Sequence, residues 1–306
     1  MICPACSNRF DEQTVPRREY PLRGKEQDGR HPSSIVFCPT CELGMAWPAP
    51  VAEQMDEYNA AFWETAQELT FEPKRYPNYY ALAKARWAQI ERNLIEKSGE
   101  HCELALLDIG AGHGFLGWAA ARSGKVQLKE YTAVEPDHTF RQSLENTWRR
   151  SWPSVKFFAF ASLPQVPGRF DLVVLSHVLE HLPDPRPTLE SVREKLSPNG
   201  MVFIEVPNQD YRFKQYLFPH VLFFNRQSLE TLVRGSGLMP AFLGGFGRRV
   251  AGQPSWDSER LGLLTKSVLK LKGILPVDLV ADFLNRDLCA DRRNEEGTWL
   301  RLLAGR

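Results

Sequence analysis

The sequence predicts an α/β fold, a seven-stranded, mostly parallel sheet with helices on both faces, plus a small cysteine-built module at its N-terminus. Three observations carry this. Short apolar runs alternate with helical patterns from Leu104 to the C-terminus, a rhythm that suits a wound parallel sheet. A glycine-rich turn follows the first of those runs, at residues 110–117. Two C-x-x-C pairs, Cys3/Cys6 and Cys38/Cys41, stand ahead of them.

Each cysteine pair can bend its chain so that both thiolates meet one metal, and two pairs complete a tetrahedral sulfur site. The gap between the pairs exceeds the usual zinc spacing, which implies a ribbon with an extended loop over residues 16–34, rich in charge, Pro and Gly. Zinc is the expected ion and its role structural; iron would use the same ligands, and disulfides are disfavoured in a reducing compartment. Cys102 and Cys289 belong to no motif. The prolines of the segment 47–50 give the module an extended exit, so residues 1–50 form one unit. Val51 to Glu68 and Tyr79 to Lys97 read as helices of a linker or lid spanning 51–98. Their aromatics are expected to pack on the main domain, although Tyr76, Tyr79 and Tyr80 could instead cover a ligand pocket.

The main domain, 99–306, opens on LALLDIGAGHGFLG at 104–117. Leu104 to Ile109 suits a strand buried on both faces, and Phe115 to Arg122 a helix whose N-terminus faces the glycine turn. Residues 112–117 also fit the dinucleotide fingerprint G-x-G-x-x-G, with Glu135 near the expected distance downstream. Asp108 argues against it, because a pyrophosphate does not want a carboxylate beside its amides. The run instead resembles the first motif of class I S-adenosylmethionine-dependent methyltransferases, whose cofactor carries an ammonium and a sulfonium that a carboxylate favours. That resemblance implies a Rossmann-like fold and assigns Asp108, Gly110, Gly112 and Gly114 to the cofactor.

Tyr131 to Val134 is the second strand, and Glu135 at its tip can accept hydrogen bonds from both ribose hydroxyls. Asp137 is placed to cap the next helix. Val155 to Phe160 is the third strand. The family commonly has an Asp near the adenine here, and this chain does not, which leaves Ser162 and the backbone for that contact. The segment FDLVVLSHVLEHLPDP at 170–185 carries a second resemblance, to small-molecule methyltransferases, in which it floors the cofactor and acceptor pockets. Ser176 and His177 become pocket residues. His181 is structural or faces the acceptor. His177 and His181 at i and i+4 could share a helical face and hold a metal, the least favoured option.

Leu189 to Leu196 is helical and stops at a Ser-Pro-Asn-Gly turn before a fifth strand, Met201 to Val206. The following Pro-Asn, Pro-His and Phe-Phe elements resemble sugar and quinone-type methyltransferases and place 207–225 over an acceptor. His220 could take a proton from an acceptor hydroxyl, with His177 as the second candidate; a packing or capping role for His220 is the alternative. Gly237 to Phe246 and Gly297 to Leu303 complete the sheet. Between them, an insertion at about 248–296 reads as two amphipathic helices that could cover the acceptor, form a homodimer contact or lie on a membrane.

With a net charge of +1, the 306-residue chain lacks the basic excess of a broad nucleic-acid binder. It has no apolar run long enough to span a bilayer and no signal-peptide pattern, so a cytoplasmic location is expected. Together these readings describe methyl transfer to a small-molecule acceptor, a sugar, polysaccharide precursor or other secondary metabolite, most simply at oxygen, with nitrogen or carbon open. An RNA base or protein methyltransferase that docks its substrate on the zinc module, and a non-catalytic S-adenosylmethionine-binding protein, are the alternatives.

Overall fold

The computed structural model describes residues 1–22, 31–51, 55, 72–99, 102–249, 275–288 and 297–306. At the N-terminus, β1 (Arg17–Glu19), β2 (Ser34–Phe37) and β3 (Gly44–Trp47) form an antiparallel sheet. A fourth strand joins it from far along the chain, and is described below. The predicted helix Val51 to Glu68 falls almost wholly outside the described residues.

The main sheet begins after α1 (Pro77–Ser98), which has Pro77 in its first turn, where no intrahelical donor is lost. There follow β4 (Glu103–Ile109), α2 (Phe115–Ala121), β5 (Gln127–Val134), α3 (His138–Ser151), β6 (Lys156–Phe160), β7 (Phe170–Ser176), α4 (Arg186–Lys195) and β8 (Leu196–Pro207). The chain then makes β9 (Leu222–Phe223), α5 (Arg226–Gly235), β10 (Met239–Arg249), α6 (Val277–Leu288) and β11 (Gly297–Gly305). The strand order is β10-β11-β8-β7-β4-β5-β6. Only β11 runs against its neighbours, so the seven-stranded, mostly parallel α/β sheet expected from the sequence is present. β9 leaves this domain to pair with β3, Gly44 opposite Phe223 and Met45 opposite Leu222.

The pleat sorts the core. Along β7, Leu172 and Val174 join the apolar cluster under α1, α2, α3 and α6, while Val173 and Leu175 join the one under α4, α5 and the N-terminal module. Asp137 caps α3 as predicted, its carboxylate accepting from Phe140 N at 2.7 Å. The Ser-Pro-Asn-Gly segment differs from expectation. β8 starts at Leu196 opposite Phe170 and resumes at Met201 opposite Leu172, so residues 197–200 bulge from a strand instead of closing a helix.

Of the insertion, 250–274 and 289–296 lie outside the described residues. Its second predicted helix is α6, which buries Val277, Val280, Ala281 and Leu284. Asp278 ties it to α1 and α2 through Tyr80 Oη (3.0 Å), Lys84 (3.3 Å) and Arg122 (2.6 Å). Val277 and Val280, the two positions of the expected apolar stripe that α6 buries, are therefore used inside the chain, and the part of the stripe before Leu275 lies outside the described residues. Tyr80 is likewise a packing residue, 1% exposed.

Candidate functional site

The glycine turn lies where β4 and β5 end. Gly110 N and Ala111 N both donate to Val134 O, at 2.9 and 3.2 Å, which folds the turn back across the tip of β5. Gly110, Gly112 and Gly114 all have positive φ, a conformation that disfavours side chains. A Cβ on Gly114 would lie 2.4 Å from Leu144, whereas one on Gly112 would meet nothing within 4 Å. Gly114 is thus closed by packing and Gly112 faces open space. Gly117 serves the helix, with Trp148 and Tyr131 against it.

Two carboxylates flank this turn. Asp108 is buried and accepts from Tyr131 Oη at 3.0 Å. Burial pushes its carboxyl up to about 7, against the pull of the Tyr131 hydroxyl and Arg86. Glu135 is buried too, and accepts from Gly112 N at 3.1 Å and Asp137 N at 3.2 Å. Burial raises its pKa, and those two amides oppose the rise. Ser162 is exposed at the far side, after β6. Ser176 Oγ, at the end of β7, is buried with no hydrogen-bond partner among the described residues. Between the glycines, His113 stacks on Tyr79 (5.1 Å) and Phe115 (5.2 Å) and tilts against Tyr76 (4.6 Å). Burial pulls its pKa down to about 4, so the ring is neutral. This aromatic set brings Tyr76 and Tyr79 beside the turn, where they can cover a ligand as well as pack.

His177 holds a left-handed φ of 58° directly after β7. Its Nδ1 lies 3.0 Å from Glu180 and its Nε2 3.1 Å from Glu205. Burial would lower its pKa, yet bonds to the two carboxylates raise it to about 9. An imidazolium with both nitrogens engaged cannot accept an acceptor's proton, so His177 does not fit the base role the sequence allowed it. Nor do His177 and His181 share a helical face, since only a 3₁₀ turn, Leu179–His181, intervenes. Glu205 also receives Arg86 Nη2 at 2.6 Å and Arg301 Nε at 2.5 Å, and its pKa stays well below the ordinary range despite complete burial.

His220 completes the arrangement. Its Nδ1 lies 2.7 Å from Asp210, which also pairs with Lys214 at 3.0 Å. Its ring meets His181 edge-on at 4.8 Å. Burial pulls His181 down to about 4, leaving it neutral. Donor atoms of Glu180, His181 and His220 lie within 4.8 Å of one another, close enough for all three to meet a divalent cation. Val221 N donates to Glu180 O at 2.8 Å, which holds the His220 segment against the loop after β7.

The structure therefore brings Asp108, Gly110, Gly112, Gly114, Glu135, Ser176 and His177 to one end of the sheet with His181 and His220, and leaves Ser162 at its margin. Sequence reading passed over His113, Arg86, Arg301, Glu205 and Asp210. Glu205 did carry a signal, a lone carboxylate within the apolar run Met201 to Val206. A cavity of about 900 Å³ opens at the opposite end of the strands, among Glu103, Gln127, Lys129 and Asp171, and includes none of the predicted residues. In the N-terminal module, Cys3 Sγ lies 3.5 Å from Cys41 Sγ and Cys6 Sγ 3.5 Å from Cys38 Sγ. All four sulfurs fall within 4.8 Å of one another.

Comparison with known proteins adds the following. A family profile described as "Methyltransferase domain" matches residues 53–240. The ubiquinone biosynthesis O-methyltransferase of Aeromonas salmonicida is 30% identical over 122 residues, covering 38% of this chain and 49% of that protein. The protein of the same name from Saccharophagus degradans is 28% identical over 168 residues, covering 50% of this chain and 69% of its own length. The chain thus spans about half of the first of these relatives. A solved S-adenosylmethionine-dependent methyltransferase from Clostridium acetobutylicum superposes with a TM-score of 0.47 at 11% identity, covering 83% of this chain and 97% of that one.

Proposed function

The chain belongs to the methyltransferase-domain family, and from that premise we propose that it is a class I S-adenosylmethionine-dependent methyltransferase that methylates a hydroxyl oxygen of a small-molecule acceptor, with His220 as base. The observation that carries this reading is the Asp210–His220 pair, 2.7 Å apart, beside the loop after β7. The curated relatives act, by name, in ubiquinone biosynthesis as O-methyltransferases, which favours oxygen.

The residues present suit the methyl donor. Gly112 offers bare backbone, Asp108 a carboxylate for an ammonium, Glu135 two oxygens for vicinal hydroxyls, and Ser176 an unpartnered hydroxyl. When bound, S-adenosylmethionine supplies a methyl group on a sulfonium, whose sulfur departs neutral. The chain then has two tasks, alignment of the acceptor and removal of its proton. Asp210 fixes the His220 ring through Nδ1, and Nε2, which Lys214 Nζ approaches to 3.4 Å, receives the hydroxyl proton once the acceptor takes the place of that ammonium; the resulting imidazolium stays paired with Asp210. The clamped His177 and Glu180 form the rigid floor beneath. The four cysteines fit one tetrahedral ion, and zinc there would be structural, with every coordination position filled by sulfur. No helix among the described residues is long and apolar enough to cross a membrane; a cytoplasmic location belongs to the same proposal.

Isotope-labelled methionine, fed to cells with and without the protein, tests the acceptor class. A labelled metabolite that depends on the protein is the expected outcome, and its loss with His220→Gln supports the base. Label confined to RNA or protein would refute the small-molecule reading, and label nowhere would refute turnover.

A further inference from the structure

We propose that Tyr20, on the cysteine module, is a positioning residue for His220, so that the module is the back wall of the acceptor site and its metal holds that wall in register. The inference rests on His220 facing the acceptor. Beyond a turn in which His220 N donates to Leu217 O at 2.8 Å and the two residues of β9, residues 217–223 have no regular structure of their own, so most of their backbone groups must find partners elsewhere. The module supplies them. Tyr20 is 2% exposed, and its hydroxyl donates to the His220 carbonyl at 2.7 Å. Leu217 N donates to Pro21 O at 3.3 Å, and Ala46 N to Val221 O at 2.9 Å. β9 then pairs with β3. The opposite side of the same segment is held by the Val221–Glu180 bond and the Asp210 ion pair. His220 is thus clamped between two bodies, one of which is the module.

A continuous path leads from the sulfurs to this clamp. Cys38 O accepts from Glu42 N at 2.9 Å and Cys38 N donates to Leu43 O at 3.0 Å, a tight turn around Cys41 that sets Glu42 at a φ of 59°. From there the Glu42 carboxylate accepts from Asn225 Nδ2 at 3.1 Å, and Thr40 O from Gln227 Nε2 at 3.0 Å. Asn225 caps α5, its side chain accepting from Ser228 N at 2.7 Å. The knuckle that would grip the metal therefore also fixes the chain leaving the His220 segment. No comparable bond runs from the module to Asp108, Gly112 or Glu135 among the described residues. Metal loss should loosen the acceptor side and spare the cofactor side.

The test uses the full chain with labelled histidine side chains, followed by NMR, together with calorimetric binding of S-adenosylhomocysteine. Seven histidines keep the spectrum tractable, and His220→Gln assigns the signal. Tyr20→Phe keeps the ring, which packs edge-on against Phe223 at 6.0 Å, and deletes only the donor. The expected result is a shifted or broadened His220 signal, a smaller change at His181, an unmoved His113, and affinity for S-adenosylhomocysteine within twofold of the parent. Removal of the metal from the parent protein by a chelator should give the same pattern, larger. An unmoved His220 signal in both samples overturns the proposal. So does a parallel loss of the His113 signal and of S-adenosylhomocysteine binding, which would mean general collapse. If His220→Gln retains full turnover while Tyr20→Phe still moves the ring, the base assignment fails and the positioning role stands.

Discussion

Removal of Glu135 separates a ribose-binding carboxylate from a structural one. Each of its oxygens already accepts one backbone N–H, from Gly112 and Asp137, which orients the group and leaves one lone pair per oxygen. Two vicinal hydroxyls can fill those positions. A charge-assisted hydrogen bond is worth about 1.5–3 kcal/mol when its partner is deleted. Two at the low end, about 3 kcal/mol, amount to a roughly 150-fold loss of affinity. Glu135→Ala should therefore weaken S-adenosylhomocysteine about 150-fold by isothermal titration calorimetry. Glu135→Gln, which keeps one acceptor oxygen and loses the charge, should weaken it roughly tenfold. Thermal melting of both variants guards against misfolding, since the alanine strands two amides. Retention of affinity within threefold in a folded Glu135→Ala protein would refute the assignment. Tight NADH binding with indifference to S-adenosylhomocysteine would refute the reading of the whole turn.

Four further outcomes follow from the same geometry. Asp108, pushed up to about 7 by burial, loses its charge as pH falls through that value and with it its ionic attraction for an ammonium; S-adenosylhomocysteine should bind more tightly as pH rises from 6 to 8, and Asp108→Asn should flatten the profile. His177 is raised from 6.5 to about 9 by its two carboxylates, so its contribution to stability is complete below pH 6.5 and is lost as pH climbs through 9. Melting curves over that range should show the loss in the parent and not in His177→Gln. Gly114→Ala forces a Cβ against Leu144 on top of a left-handed φ and should cost about 2–4 kcal/mol of stability by denaturant unfolding, whereas Gly112→Ala should cost only about 1 kcal/mol yet abolish cofactor binding. Freshly purified, reduced protein should contain close to one equivalent of zinc by elemental analysis, and less than about half an equivalent of zinc or iron would count against the four-sulfur site.

Much of this was legible because local patterns carry it. The apolar runs, the glycine turn and the Asp137 cap are written in adjacent residues, and so is the pairing of thiols within each C-x-x-C. What stayed hidden depends on contacts between distant segments. Nothing near Tyr20 signals a bond to residue 220, and the two residues of β9 are too few to show a strand period. The clamp on His177 is not legible because its second partner, Glu205, comes from a neighbouring strand. Residue type suggested a titrating group; only the paired carboxylates show a fixed cation. The turn at 197–200 was read from composition, and register with β7 overrode it.

The borrowed strand bears on how the chain matures. β3 has no partner on its outer edge until Leu222 and Phe223 arrive, some 175 residues later in synthesis, a delay of roughly 10–35 s at ribosomal rates. For that interval the nascent chain exposes a short, apolar, unpaired edge, the feature that invites strand exchange between neighbours. A fragment ending at residue 50 would keep that edge permanently. Expressed alone, it should pair with other copies of itself.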